Sequence, residues 1–83
     1  MKHSAILRRI QQAARDDELR FTDHADDEMD AEGETSRSVA AVLRRARSVR
    51  LQNNGRWLVR GEGLVIILHM DESAVLVWTV YCG

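Results

Sequence analysis

The sequence predicts an α+β domain in which three N-terminal helices pack on one face of a four-stranded antiparallel β-meander. Two observations predict it. Apolar residues recur at helical spacing up to residue 48 and at alternate positions beyond it. Three turn-forming clusters, "NNG", "GEG" and "DES", cut the second half into strand-length pieces. With 83 residues, the chain has room for a single domain, 1–83, around a small core.

The first helix is expected at about 4–15. Ile6, Leu7, Ile10, Ala13 and Ala14 share one face, and Ser4 is the expected N-cap. A short extended segment, "LRFT", follows. The second helix, 24–32, is capped by Thr22 or Asp23 and ends at Gly33. Its stripe is thin, only Ala25 and Met29, and acids in its first turn suit the helix dipole. Thr35 caps the third helix, 36–47, which buries Val39, Val42, Leu43 and Ala46 and turns Arg37, Arg44 and Arg45 outward. Strands are expected at about 48–52, 56–60, 63–70 and 74–82.

The turns suggest a register. A two-residue turn at Gly61-Glu62 pairs Arg60 with Gly63, and Met70 pairs with Ala74 across "DES". "NNG" allows a two- or a three-residue turn. Only the three-residue turn, with Gly55 left-handed and Leu51 beside Trp57, sorts apolar from polar side chains. One face then holds Val49, Leu51, Trp57, Val59, Leu64, Ile66 and Leu68, followed by Leu76, Trp78, Val80 and Cys82, and lies under the helices. The open face holds Arg50, Gln52, Arg56, Arg60, His69, Thr79 and Tyr81 around Leu58, Val65, Ile67, Val75 and Val77. Arg60, Thr79 and Tyr81 are expected to meet at one end with Arg56 beside them, and His69 at the other. An exposed aliphatic centre of this kind calls for a cover: a partner, a second copy or a ligand. Arginine and tyrosine suit either a protein interface or RNA, whose phosphates and bases they bind.

Charge is segregated. Residues 23–34 hold seven carboxylates and no lysine or arginine; residues 35–60 hold seven arginines and no acid. The helix arginines are expected to neutralise the acidic helix, leaving Arg50, Arg56 and Arg60 free on the strands. The single cysteine, Cys82, forms no internal disulfide and is expected in the core, so a cytoplasmic location is expected. No signal-peptide core opens the chain, and the longest apolar run, "LVIIL", is far below the ~20 residues of a membrane span.

Known site chemistries are mostly excluded. The acidic run lacks the glycine and ligand spacing of a calcium loop, and no zinc-ligand spacing joins the histidines to Cys82. There is no Gly-x-Ser-x-Gly elbow, and "GEG" is too short for a phosphate loop. No metal and no cofactor is therefore expected. His24 and Glu28, one helical turn apart, make either an acid–base pair or a surface ion pair. His69 is either a proton shuttle for a ligand on the open face or an ordinary surface histidine.

"RFTDHADDEM", "VAAVL", "RWLVRGEGLVIILHM" and "VWTVY" together resemble the bacterial family described as domain of unknown function 4258. The shared elements are the His24-Ala25 helix with Met29, the Arg60-Gly61 turn and the closing Thr79-Val80-Tyr81, over residues 20–81. Glu28 stands where some members carry arginine. That family looks like a branch of the RelE/ParE-like toxins. The resemblance implies helices on one face of a curved antiparallel sheet, a protein antitoxin as partner, and metal-free RNA cleavage on the open face. It implies roles for Arg56, Arg60, His69 and Tyr81; with the strand register, the expected catalytic residues are His24, Arg60, His69 and Tyr81, and the expected RNA contacts are Arg50, Arg56, Arg60 and Thr79. A non-catalytic binding module, covered by a protein or by its own copy as a homodimer, is the alternative.

Overall fold

A computed structural model describes residues 2–83. Three helices, α1 (His3–Arg15), α2 (Asp23–Glu32) and α3 (Ser36–Arg44), lie against an open five-stranded sheet. Its strands are β1 (Leu19–Phe21), β2 (Arg50–Leu51), β3 (Trp57–Gly61), β4 (Leu64–Met70) and β5 (Val75–Cys82), in the order β1-β5-β4-β3-β2. The α+β class is as expected, but the sheet is mixed. The "LRFT" segment supplies β1, which pairs in parallel with the first half of β5.

Helix boundaries follow local chemistry. Ser4 lies inside α1 instead of capping it; Lys2 is the N-cap and gives no side-chain bond. Thr22 accepts from the Ala25 N–H, and left-handed Gly33 closes α2. Thr35 and Ser38 exchange side-chain bonds in a capping box at the start of α3. This helix stops at Arg44, three residues earlier than expected, yet Ala46 stays buried. Ile6, Ile10, Ala14, Val39, Val42 and Leu43 then cover Val59, Ile66, Leu68, Val77 and Val80 from the helical side.

The hairpins differ instructively from expectation. The β2–β3 loop has Gly55 at φ +82° and sets Leu51 opposite Trp57, as the three-residue turn requires. In the β3–β4 hairpin the turn residues are Glu62 and Gly63, both left-handed, and Gly61 pairs with Leu64. Arg60 thus faces Val65, not Gly63: a two-residue slip, which leaves every side chain on its expected face.

β5 breaks the pattern. Thr79 pairs with Ile67 but Val77 pairs with Leu68, so Trp78 is an extra residue in a β-bulge. Beyond it Met70 pairs with Val75 instead of Ala74. The one-residue offset exchanges faces: Val75 and Val77 enter the helix-covered core, while Leu76 and Trp78 turn out of it. The edge of β5 explains the offset. β1 serves residues 75–77. From there α2 takes over: the Thr22 hydroxyl donates to the Trp78 carbonyl (2.9 Å), and Glu28 Oε1 accepts the Val80 N–H (3.0 Å).

Glu28 thereby saturates a backbone donor that no strand reaches. Glu28→Ala leaves that N–H without its partner and is expected to cost about 1 kcal/mol, measurable as a lower urea midpoint at unchanged m.

At the β4–β5 turn the Asp71 carboxylate accepts from the Ser73 N–H and hydroxyl and from the Ala74 N–H. The Ser73 bonds chiefly hold its carboxyl below the usual range. This support for the turn is present at neutral pH and is lost in acid, as the pH falls through the lowered value. Arg9 of α1 donates to the Asp71 and Ala74 carbonyls, tying the turn to the helical layer.

Candidate nucleic-acid interface

Strand register arranges the helix-free face in rows. One end holds Arg60, Val65 and Tyr81; the middle holds Arg50, Leu58, Ile67 and Thr79. At the other end His69 lies opposite Leu76, with Trp78 and Arg56 beside it. Along β3, Arg56 and Arg60 are four residues apart, about 13 Å at strand rise. The expected cluster is therefore divided. Arg60 and Tyr81 flank Val65 across the sheet, but Arg56 is at the far end beside His69. Arg50 and Arg60 share a depression of about 150 Å³ with Ser48, Val49 and Leu58.

The aliphatic centre is not the exposed patch expected from the sequence. Val65 and Ile67 are 2% and 7% exposed although no helix covers them. Gly83 lies against Val65, its N–H bonded to the Gly63 carbonyl, and leaves no room there for even a Cβ. Tyr81 stays 40% exposed at the rim.

The far end contains a group that the strand pattern does not reveal. The Arg56 guanidinium carbon sits 4.0 Å from the centroid of the Trp78 ring, a cation–π stack. His69 meets the same ring edge-on, with centroids 6.5 Å apart at 67°. Alternation alone puts Trp78 under the helices, and no local sequence feature marks the bulge that brings it out. Trp57 is buried on the helical side as expected, edge-on to His3. Arg20, opposite Leu76 on β1, is also not expected here from the sequence and adds another exposed cation to this face.

His24 stands apart. It is on α2, largely exposed, with Nε2 3.1 Å from Glu28 Oε1, at the β5 edge instead of on the open face. The pair is a surface contact in which Glu28 also holds the sheet edge. The arginines of α3 do not neutralise α2: among the described residues Arg45 pairs with Glu62, and no α3 arginine pairs with an α2 acid. The acidic helix instead spends Glu28 and Glu32 on β5. No three potential metal-ligating side chains gather among the described residues.

Cys82 is on the helical side of the sheet as expected, but at its end and exposed rather than in the core. Its thiol donates to Glu32 Oε2 at 2.9 Å, and this bond, more than anything else, pushes its pKa up. Since the thiolate is the nucleophile, an exposed thiol here is expected to alkylate slowly at pH 8. Glu32→Gln is expected to speed iodoacetamide modification and move its pH midpoint down; equal rates in both proteins would exclude the bond from solution.

No helix among the described residues is long and apolar enough to cross a membrane. No family model matches the chain, and no curated protein or solved structure matches it either.

Proposed function

We propose that the chain is a small toxin-like protein that binds RNA across the open face of its sheet, with a protein antitoxin as its partner. The observation that carries this reading is the one-signed charge of that face. Arg20, Arg50, Arg56 and Arg60 project from it with His69, and among the described residues no strand position on this face is a carboxylate, the nearby Asp71 belonging to the β4–β5 turn. Acids are kept on α2 and in the turns. A helix-free surface with unopposed guanidinium groups and accessible aromatic rings suits phosphates and unpaired bases. The resemblance to the RelE/ParE-like toxins points to the same face and supplies the expectation of an antitoxin.

Binding is better supported than cleavage. A metal-free ribonuclease needs a proton-transfer group and a phosphate clamp within reach of one ribose. Arg60 and Tyr81 share one end, His69 is two rows away, and His24 is off the face. Burial of Val65 and Ile67 also removes the main argument for a second copy covering the apolar centre.

The test compares wild-type protein with an Arg60→Ala/Tyr81→Ala variant against single-stranded and structured RNA in chelator. Retarded but intact RNA with wild-type protein, and weaker retardation with the variant, is the expected result. Cut RNA would restore the enzyme reading. Absence of both binding and cutting would remove RNA from the proposal. Growth arrest on overexpression in a bacterial host, relieved by the neighbouring gene, would establish the toxin and its antitoxin.

A further inference from the structure

We propose that the Trp78–Arg56 stack is a base-stacking subsite for an unpaired nucleotide of the bound RNA. The inference rests on the RNA reading above and adds a position and a chemistry to it.

Three observations converge on this pair. The bulge at Trp78 is the one irregularity in the pairing of β4 with β5, and it turns an indole out of a strand whose neighbours Val77 and Val80 are fully buried. Bulges commonly re-aim a side chain in this way. The indole then holds the Arg56 guanidinium at 4.0 Å over its ring. Finally, among the described residues the Arg56 side chain has no hydrogen-bond acceptor and no ion-pair partner; its hydrogen bonds are made by the backbone, the N–H to Asn54 Oδ1 and the carbonyl from the Gln52 N–H. Its guanidinium therefore sits over the indole with its N–H donors unused by the protein.

A guanidinium placed over an indole offers two things at once. Its outer plane can stack an unpaired base, giving a layered indole, guanidinium and base. Its edge donors can bind the adjoining phosphate. Lysine could replace the charge but not the plane. His69, edge-on to the same ring, is placed to contact the ribose or phosphate on the β4 side.

The test uses the whole protein and reads its two indole N–H resonances, assigned with a Trp78→Phe variant. Hexa-adenylate is titrated in, with inorganic polyphosphate as the base-free control. The expected result is a shift of the Trp78 resonance with hexa-adenylate, a much smaller one with polyphosphate, and none for buried Trp57. Arg56→Lys and Trp78→Leu are each expected to weaken hexa-adenylate binding about tenfold, within the range for loss of one stacked base. An unchanged Trp57 resonance in each variant reports an intact fold. RNA binding that leaves the Trp78 resonance still and is indifferent to both variants would overturn the subsite while sparing the RNA reading. Equal shifts with polyphosphate would reduce it to a phosphate site. No binding of hexa-adenylate or of longer RNA would overturn both.

Discussion

Leu68→Ala lowers the stability of the domain by about 3 kcal/mol, and Ile67→Ala, one residue away, lowers it by only about half as much. Leu68 is fully buried between sheet and helices, in the same cluster as Ile10, Leu43, Ile66 and Val80. Removing its side chain forfeits transfer energy and leaves a cavity that a packed two-layer core cannot close, the situation that costs about 3–5 kcal/mol. Ile67 is 7% exposed but lies on the helix-free face, outside that cluster. With no helix layer packed over it, the site can collapse or admit water more readily than the two-layer core, so the cavity cost is smaller. For a domain of this size 3 kcal/mol corresponds to about 15 °C in melting temperature. It is also a large part of the roughly 5–8 kcal/mol that such a domain has at all. Urea and thermal unfolding of both variants measure the contrast. Equal losses would mean that the open face is as tightly covered as the core, and would argue for an occluding partner or segment.

Arg56→Ala/Arg60→Ala is expected to weaken binding of single-stranded RNA about 100-fold at low salt, taking about 1.5 kcal/mol for each charge-assisted hydrogen bond removed. The salt dependence is the sharper readout. With two phosphates fewer neutralised on a single strand, the slope of log K against log salt should flatten by about 1.4. Arg37→Ala/Arg44→Ala removes the same formal charge from α3, on the opposite side of the sheet. It is expected to leave both affinity and slope nearly unchanged, because exposed charges beyond a Debye length are screened. If the helix variant binds as weakly as the sheet variant, the attraction is to net basic charge and the open face has no special role.

Much of the fold is legible in the sequence because its signals are local. Thr22 and Thr35 cap helices through bonds to residues three positions on. Gly33 and Gly55 adopt the left-handed conformations for which glycine is suited. Alternation in β3 and β4 places Trp57, Val59, Leu64, Ile66 and Leu68 correctly, and the two-residue slip at Glu62-Gly63 does no harm because a strand repeats every two residues. The open-face placement of Arg50, Arg56, Arg60, His69, Thr79 and Tyr81 follows from the same parity. The first half of β5 is not legible for the converse reason: a single inserted residue inverts parity, and "VLVWTV" alternates equally well in either phase. The division of the site, with Arg56 and His69 at one end and Arg60 and Tyr81 at the other, depends on that register.

By itself, the amino-acid order determined the α+β class, the helix caps and the separation of an acidic run, 23–34, from the arginine-rich run that follows it, since each is read from residues close together in the chain. Only the tertiary structure decided which face Trp78 joins, that β1 completes the sheet, and that the aliphatic centre is covered without a partner. The reason is the edge of β5. Its backbone is satisfied by Thr22 and Glu28, more than fifty positions earlier in the chain, and those bonds accompany the one-residue offset that sets Trp78 beneath Arg56.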